Sequence, residues 1–190
     1  MKRTIITILI CMSILSGCVN KDSQVSEPVS LMQEDGTVSL KDLYFSDGKN
    51  TITNLRDDKI YEKFKKIMAN ESDVSGNIGD YEFSGFEINS EDESEMCYVS
   101  FTEDKQVFQI TISPNYSAPE GTEPSKNLTL AGVHLLDQFD DVINLLGTPS
   151  EINKDGDGKV STVTYNETES SFLYISFDGD MVNYIAVQFE

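Results

Sequence analysis

The chain is poor in the residues on which most enzyme mechanisms rest. Its 190 residues include one histidine, His134, and two arginines, Arg3 and Arg56. An imidazole-based serine or cysteine triad would have to be built on His134 alone. There is no Gly-rich phosphate loop, no paired-cysteine motif and no His-Glu-x-x-His sequence. Bases are scarce as well: 14 Lys and Arg against 33 Asp and Glu give a formal net charge of −19. A body this acidic is repelled by nucleic-acid phosphates and by anionic lipid headgroups, so no nucleic-acid partner is expected. A long hydrophobic run is also missing. The stretch from Thr4 to Gly17 is 14 residues, short of the roughly 20 that cross a bilayer as a helix.

What is there begins with that stretch. Lys2 and Arg3 precede it, no charge interrupts it, and it ends in Leu15-Ser16-Gly17-Cys18. A basic start, a short apolar core and small residues before the end are the signs of a secretory signal peptide. Removal of residues 1–17 leaves 173 residues, enough for one medium domain or two small ones. Lys2 and Arg3 leave with the leader, so the remainder goes from −19 to −21. That charge keeps the body solvated, or it attracts cations or a basic partner. Of three cysteines Cys11 is removed and Cys97 alone remains in the body beside Cys18, so no internal disulfide is expected. Cys97 lies in an apolar strand pattern and reads as a small buried hydrophobe.

The Leu15–Cys18 ending resembles the lipobox of bacterial lipoproteins. That resemblance implies that Cys18 carries a diacylglycerol and becomes the first residue of a protein anchored, outside the cytoplasm, to the cell membrane.

Residues 18–36 are polar and without period, and read as a flexible tether. Residues 37–113 read as a first α+β unit. Short extended pieces are expected near Val38–Leu40 and Tyr44–Phe45, and a helix capped by Asp57 follows, with Ile60, Phe64, Ile67 and Met68 on one stripe. Strands are expected over Tyr81–Ile88, Met96–Phe101 and Val107–Ser113. Residues 114–126 hold three of the five prolines and read as a linker. Residues 127–190 read as a second unit. It has a short strand at Asn127–Leu130 and a helix from about Asp137 to Leu146, stopped by Gly147 and Pro149. Strands follow over Lys159–Tyr165, Phe172–Phe177 and Met181–Phe189, the last two joined at Asp178-Gly179-Asp180.

The units also match in residues. Tyr98-Val99-Ser100-Phe101 aligns with Tyr174-Ile175-Ser176-Phe177 at an offset of 76, and Val107–Ile112 with Val182–Val187 at 75. Phe64, Ile67 and Met68 fall on Phe139, Val142 and Ile143. The expected fold is therefore α+β: two related helix-plus-antiparallel-hairpin units, with both helices packed on one face of antiparallel sheet. Gly132-Val133-His134-Leu135, Asp137, Phe139-Asp140-Asp141-Val142 and Leu145-Leu146-Gly147-Thr148-Pro149 resemble the helix signature of SmpA/OmlA-type assembly lipoproteins. The tandem arrangement is similar to secreted β-lactamase-inhibitor proteins. The resemblance implies a fold and a tendency to bind proteins, and no substrate.

Alternation along the strands sorts the side chains into two faces. Cys97, Val99, Phe101, Phe108, Ile110, Ile112, Leu173, Ile175, Phe177, Ile185, Val187 and Phe189 form the expected core set. The opposite set includes Tyr98, Gln109, Phe172, Tyr174 and Tyr184. Tyrosines among hydroxyls and amides suit protein contact, because they give large area at small entropy cost; the same set also fits an ordinary wet sheet face. The run Asn153-Lys154-Asp155-Gly156-Asp157-Gly158 has the ligand spacing of a calcium loop, with Asn153, Asp155 and Asp157 as oxygen ligands. Thr164 stands where a bidentate Glu belongs, so the site would be weak, and the stretch also reads as an Asp/Gly turn. Glu91, Asp92, Glu93 and Glu95 read as a solvated charge run. The function expected is that of a non-catalytic lipoprotein whose open sheet face binds a protein or envelope component, without a cofactor. The alternatives are a small-ligand or cation-binding lipoprotein and a carboxylate-dependent hydrolase.

Overall fold

The computed structural model describes residues 31–34, 37–67, 73–78 and 81–190. The leader, Cys18 and Met68 lie outside the described residues. In chain order the elements are β1 (Tyr44–Ser46), β2 (Thr51–Thr53), α1 (Ile60–Ile67), β3 (Asp73–Ile78), β4 (Tyr81–Asn89), β5 (Glu95–Phe101) and β6 (Val107–Pro114). Then come β7 (Thr129–Leu130), α2 (Phe139–Leu146), β8 (Glu151–Lys154), β9 (Val160–Asn166), β10 (Phe172–Asp178) and β11 (Met181–Gln188).

Eight strands make one antiparallel sheet in the order β3-β4-β5-β6-β11-β10-β9-β8. Each half of the chain supplies a four-stranded meander, and β6 and β11 pair along the seam, Ile112 opposite Ile185 and Ile110 opposite Val187. A second sheet of three short strands, β2-β1-β7, joins the start of one half to the start of the other.

This corrects the expected α+β body of two helix-plus-hairpin units. The protein is mostly β, 41% strand against 11% helix. The helices are eight residues each, and the strand content exceeds the hairpins because β3 and β8 were not legible as strands. In β8, Glu-Ile-Asn-Lys holds a single apolar residue, and in β3 the alternation of Asp-Val-Ser-Gly-Asn-Ile is broken at its centre by Gly76. They are the two outer strands of the sheet, and a short, polar edge blunts strand-to-strand aggregation.

The two inner hairpins do repeat in one detail that composition does not show. Each carries a bulge near its turn, between Ser100 and Phe101 in β5–β6 and between Ser176 and Phe177 in β10–β11. The extra residues are Phe108 and Asn183, 75 apart. The bulge turns Val107 into the core in place of Phe108, which stays half-buried, and Val182 likewise beside Asn183. The rest of the expected core set is buried as read.

One core runs through both halves. On α1, Ile60 and Phe64 are buried, and the Phe64 ring meets Phe45 at 5.6 Å and Phe101 at 5.9 Å. On α2, Val142 and Leu146 are buried, while Phe139 lies at the margin, 5.8 Å from the Phe177 ring. The pairs matched at the offset of 75, Phe64 with Phe139 and Ile67 with Val142, all pack against the core, but to different depths: Phe64 and Val142 are buried, Ile67 and Phe139 only partly. Phe101 and Phe177 belong to the same sheet face, so both helices cover one side of the sheet. Part of the span read as tether is also core. Leu31 is fully buried and its N–H donates to the Leu146 carbonyl at 3.0 Å, satisfying a free acceptor at the end of α2.

Two segments lock the halves together. Glu167, in the β9–β10 turn, accepts from the Leu40 N–H at 2.9 Å and pairs with the Arg56 guanidinium, which stacks over the Phe189 ring at 4.8 Å. The proline-bearing connection 114–126 is fastened to the start of β5, where Glu95 accepts from the Lys126 N–H. Asp137 does not cap α2; that position is taken by Gln138, without a side-chain hydrogen bond. The Asp137 carboxylate instead closes the preceding turn, accepting from the His134 N–H at 2.8 Å. Gly147 does end α2, at φ 85°, donating to Ile143.

Candidate functional site

Strand pairing aligns the uncovered face in rows. The central row runs Glu87, Tyr98, Thr111, Ala186, Tyr174, Thr164, Glu151 across seven strands. A second row runs Ser100, Gln109, Gln188, Phe172, Asn166. Tyr98 and Tyr174 thus occupy corresponding places, each on the strand next to the seam pair. They do not touch: three strand spacings separate them, about 14 Å.

The structure brings Phe172, Tyr174 and Tyr184 together and sets Tyr98 apart, with Gln109 between them. The Tyr174 and Tyr184 rings meet edge to face at 6.3 Å. Ala186, 5% exposed, gives the small floor between Tyr174 and Thr111. Burial pushes the Tyr184 phenol above its ordinary value, and the neighbouring Tyr174 adds to the shift; a hydrogen bond with Thr111 works against it. Tyr98 is also raised, first by burial and then by the carboxylate of Glu87. Both phenols therefore stay protonated and able to donate at neutral pH. Tyr98 is 37% exposed, and Tyr116, just beyond β6, is 82% exposed.

At the β8 end the face dips into an open groove of about 520 Å³. Its aromatic wall is Phe172 and Tyr174; Thr164 and Asn166 give polar contacts, and Glu151 and Glu169 lie on its rim. Glu167 also borders it but is committed to Arg56 and Leu40. Among the described residues Glu151 accepts a long bond from the Asn166 amide, 3.3 Å. Sequence reasoning found Phe172 and Tyr174 and missed the rest. Thr164, Asn166 and the β9–β10 turn read as ordinary polar positions, and only the strand order places them beside the aromatics.

The metal-like stretch closes as a hairpin turn between β8 and β9. One Asp155 carboxylate oxygen, Oδ1, accepts from the N–H groups of Asp157 and Lys159, both at 2.9 Å. The Asn153 amide turns to the Thr162 hydroxyl at 3.1 Å. Among the described residues no three His, Cys, Asp or Glu side chains converge as metal ligands.

The acidic run is not simply a solvated face. Asp92 accepts from the Ser94 and Ser90 hydroxyls, both at 2.7 Å, and these hold its carboxyl well below the usual carboxylate range. Glu95 is fully buried. The single histidine meets Asp137, Nδ1 to Oδ2 at 3.4 Å, and Lys126 reaches the other oxygen at 2.9 Å. Cys97 is buried under the sheet. Among the described residues no helix is long and apolar enough to cross a membrane. No protein-family model, curated protein or solved structure matches the chain.

Proposed function

We propose that the protein is a membrane-anchored, extracytoplasmic lipoprotein, tethered through lipid on Cys18, whose open sheet face is a non-catalytic module for binding a protein or cell-envelope partner. The observation that carries the reading is a sheet face that neither helix nor the small sheet covers among the described residues. Helices and the small sheet cover one side of the eight strands. The other side keeps Tyr98, Tyr174, Tyr184 and Phe172 among threonine, serine and glutamine side chains. Such a surface offers rigid aromatic area with donors and acceptors beside it, the composition of binding hot spots. Leu31, the first described residue, is buried at the end of α2 on the covered side, so it does not occupy the open face.

Affinity capture from native membranes tests this, with wild-type chain against Tyr98→Ala/Tyr174→Ala, both first shown to melt alike. A partner held by the first and lost by the second is expected. A partner retained equally by both refutes the face as the site. The lipid reading is tested separately by Cys18→Ser, which should release the protein from the membrane fraction. The groove favours a second reading, a small-ligand site, because its volume falls within the range of roughly 300–1,000 Å³ usual for such pockets. A ligand screen that finds a compound lost on Tyr174→Ala, with no captured partner, would favour that reading.

A further inference from the structure

Resting on this face reading, we infer that the groove between Tyr174 and Glu169 receives a lysine or arginine side chain, and that the partner presents it on a basic, extended polypeptide segment. The charges of the protein are sorted by side. The strand positions of the open face in the described residues hold Glu87, Glu151 and Asp178 and no Lys or Arg. Several bases are engaged elsewhere: Arg56 on Glu167, Lys49 on Glu91, Lys63 on Asp57, Lys126 on Asp137, and Lys105 over the Tyr61 ring on the covered side, while Lys154 and Lys159 stand at the β8–β9 turn and do not line the groove. At the groove Glu167 is already neutralised, and Glu151 and Glu169, beside the aromatic wall, form no ion pair among the described residues.

That combination selects for the chemistry of its occupant. A ring face attracts a cation, and a carboxylate at the rim takes its hydrogen bonds. A long aliphatic stem lies against Phe172 and Tyr174 while its charged tip reaches the glutamates. A bare divalent ion is poorly served, since no three ligands converge among the described residues. The hydroxyls and amides of Thr164, Asn166 and Gln188 suit a polypeptide main chain laid along the strands, and the net charge of −19 speeds encounter with a basic partner.

The test uses the full chain and an acetylated, amidated Lys-Ser repeat octapeptide, with a Glu-Ser repeat and spermine as comparisons. Binding of the lysine peptide should weaken as salt rises. Glu151→Gln/Glu169→Gln should weaken it about fivefold, and Tyr174→Ala by a similar factor. Glu103→Gln/Asp104→Asn, which removes two exposed charges from the β5–β6 turn, should change it less than about twofold. No binding of the lysine peptide at low salt overturns the inference. So does equal weakening by the turn variant, which would mean net charge alone. Spermine binding as tightly, with the same dependence on Tyr174, overturns the polypeptide part. The face reading fails separately: a native partner lost on Tyr98→Ala/Tyr174→Ala but kept by the glutamine variant leaves that reading standing and removes this one.

Discussion

Glu95 should be the most costly single position to change outside the apolar core. Its carboxylate is fully buried and takes four hydrogen bonds from the start of the second half. Oε1 accepts from the Lys126 N–H at 3.1 Å; Oε2 accepts from the N–H groups of Asn127 at 2.9 Å and Leu128 at 3.0 Å, and from the Ser125 hydroxyl at 3.1 Å. Hydrogen bonds to a charged group contribute about 1.5–3 kcal/mol each and do not add independently. Glu95→Ala strands these donors without water, and should cost about 4 kcal/mol. Glu95→Gln is the sharper test. Its oxygen can serve the three Oε2 donors, but its amide nitrogen then faces the Lys126 N–H, donor against donor, at a cost of about 2 kcal/mol. In urea the midpoint should fall with an unchanged slope. The melting temperature should drop by about 4–8 °C for a body of this size. Amide exchange should quicken first at Lys126, Asn127 and Leu128. A glutamine variant within about 0.5 kcal/mol of wild type would refute the claim that this carboxylate organises the connection.

Three further outcomes follow from the same geometry. Burial works to raise the Asp137 carboxyl, but bonds from the His134 ring, Lys126 and the His134 N–H outweigh it and hold it at about 2, below the ordinary 3.8. Its stabilisation, about 1 kcal/mol after solvent screening, is present above the ordinary value and lost as pH falls through the folded one. Asp137→Asn should therefore lower stability at neutral pH and flatten the acid limb of an unfolding profile between about pH 4 and pH 2; an unchanged limb contradicts this. At Gly85 an added methyl would stand 2.4 Å from the Val99 carbonyl oxygen, which is backbone and cannot swing aside. Gly85→Ala should cost about 2 kcal/mol in denaturant unfolding, and a neutral result would show that β4 and β5 separate easily. Calcium at sub-millimolar concentration should leave the melting temperature unchanged, because Asp155 is engaged by its own turn; a rise of several degrees would favour the metal reading of Asn153, Asp155 and Asp157.

Where burial is one-sided and the strand is flanked by partners, the sequence was readable. Cys97, Val99, Ile110, Ile112, Leu173, Ile175, Ile185 and Val187 alternate with polar or small residues and all are buried. Asp178-Gly179-Asp180 turns as expected, with Gly179 at φ 65°. Failures arose where tertiary partners, and not local pattern, decide. β8 is exposed along its length and β3 has a glycine at its centre, so neither edge strand carries a clear apolar period. A bulge shifts the alternation by one residue, and nothing in Val107-Phe108 says which of the two enters the core. Leu31 lies in polar sequence and is buried only because α2 offers it a carbonyl and a hydrophobic seat. The groove was half-legible for a similar reason. Phe172 and Tyr174 stood out by type, whereas Glu151 and Glu169 join them only through the β8-β9-β10 order.

Site-specific photo-crosslinking in native membranes tests the open face most directly. A crosslinking residue at Thr111, in the centre of the face, is compared with one at Glu62, exposed on α1. The account predicts a discrete crosslinked partner from Thr111 and none from Glu62. A product from Glu62 alone, or equal products from both, would contradict it.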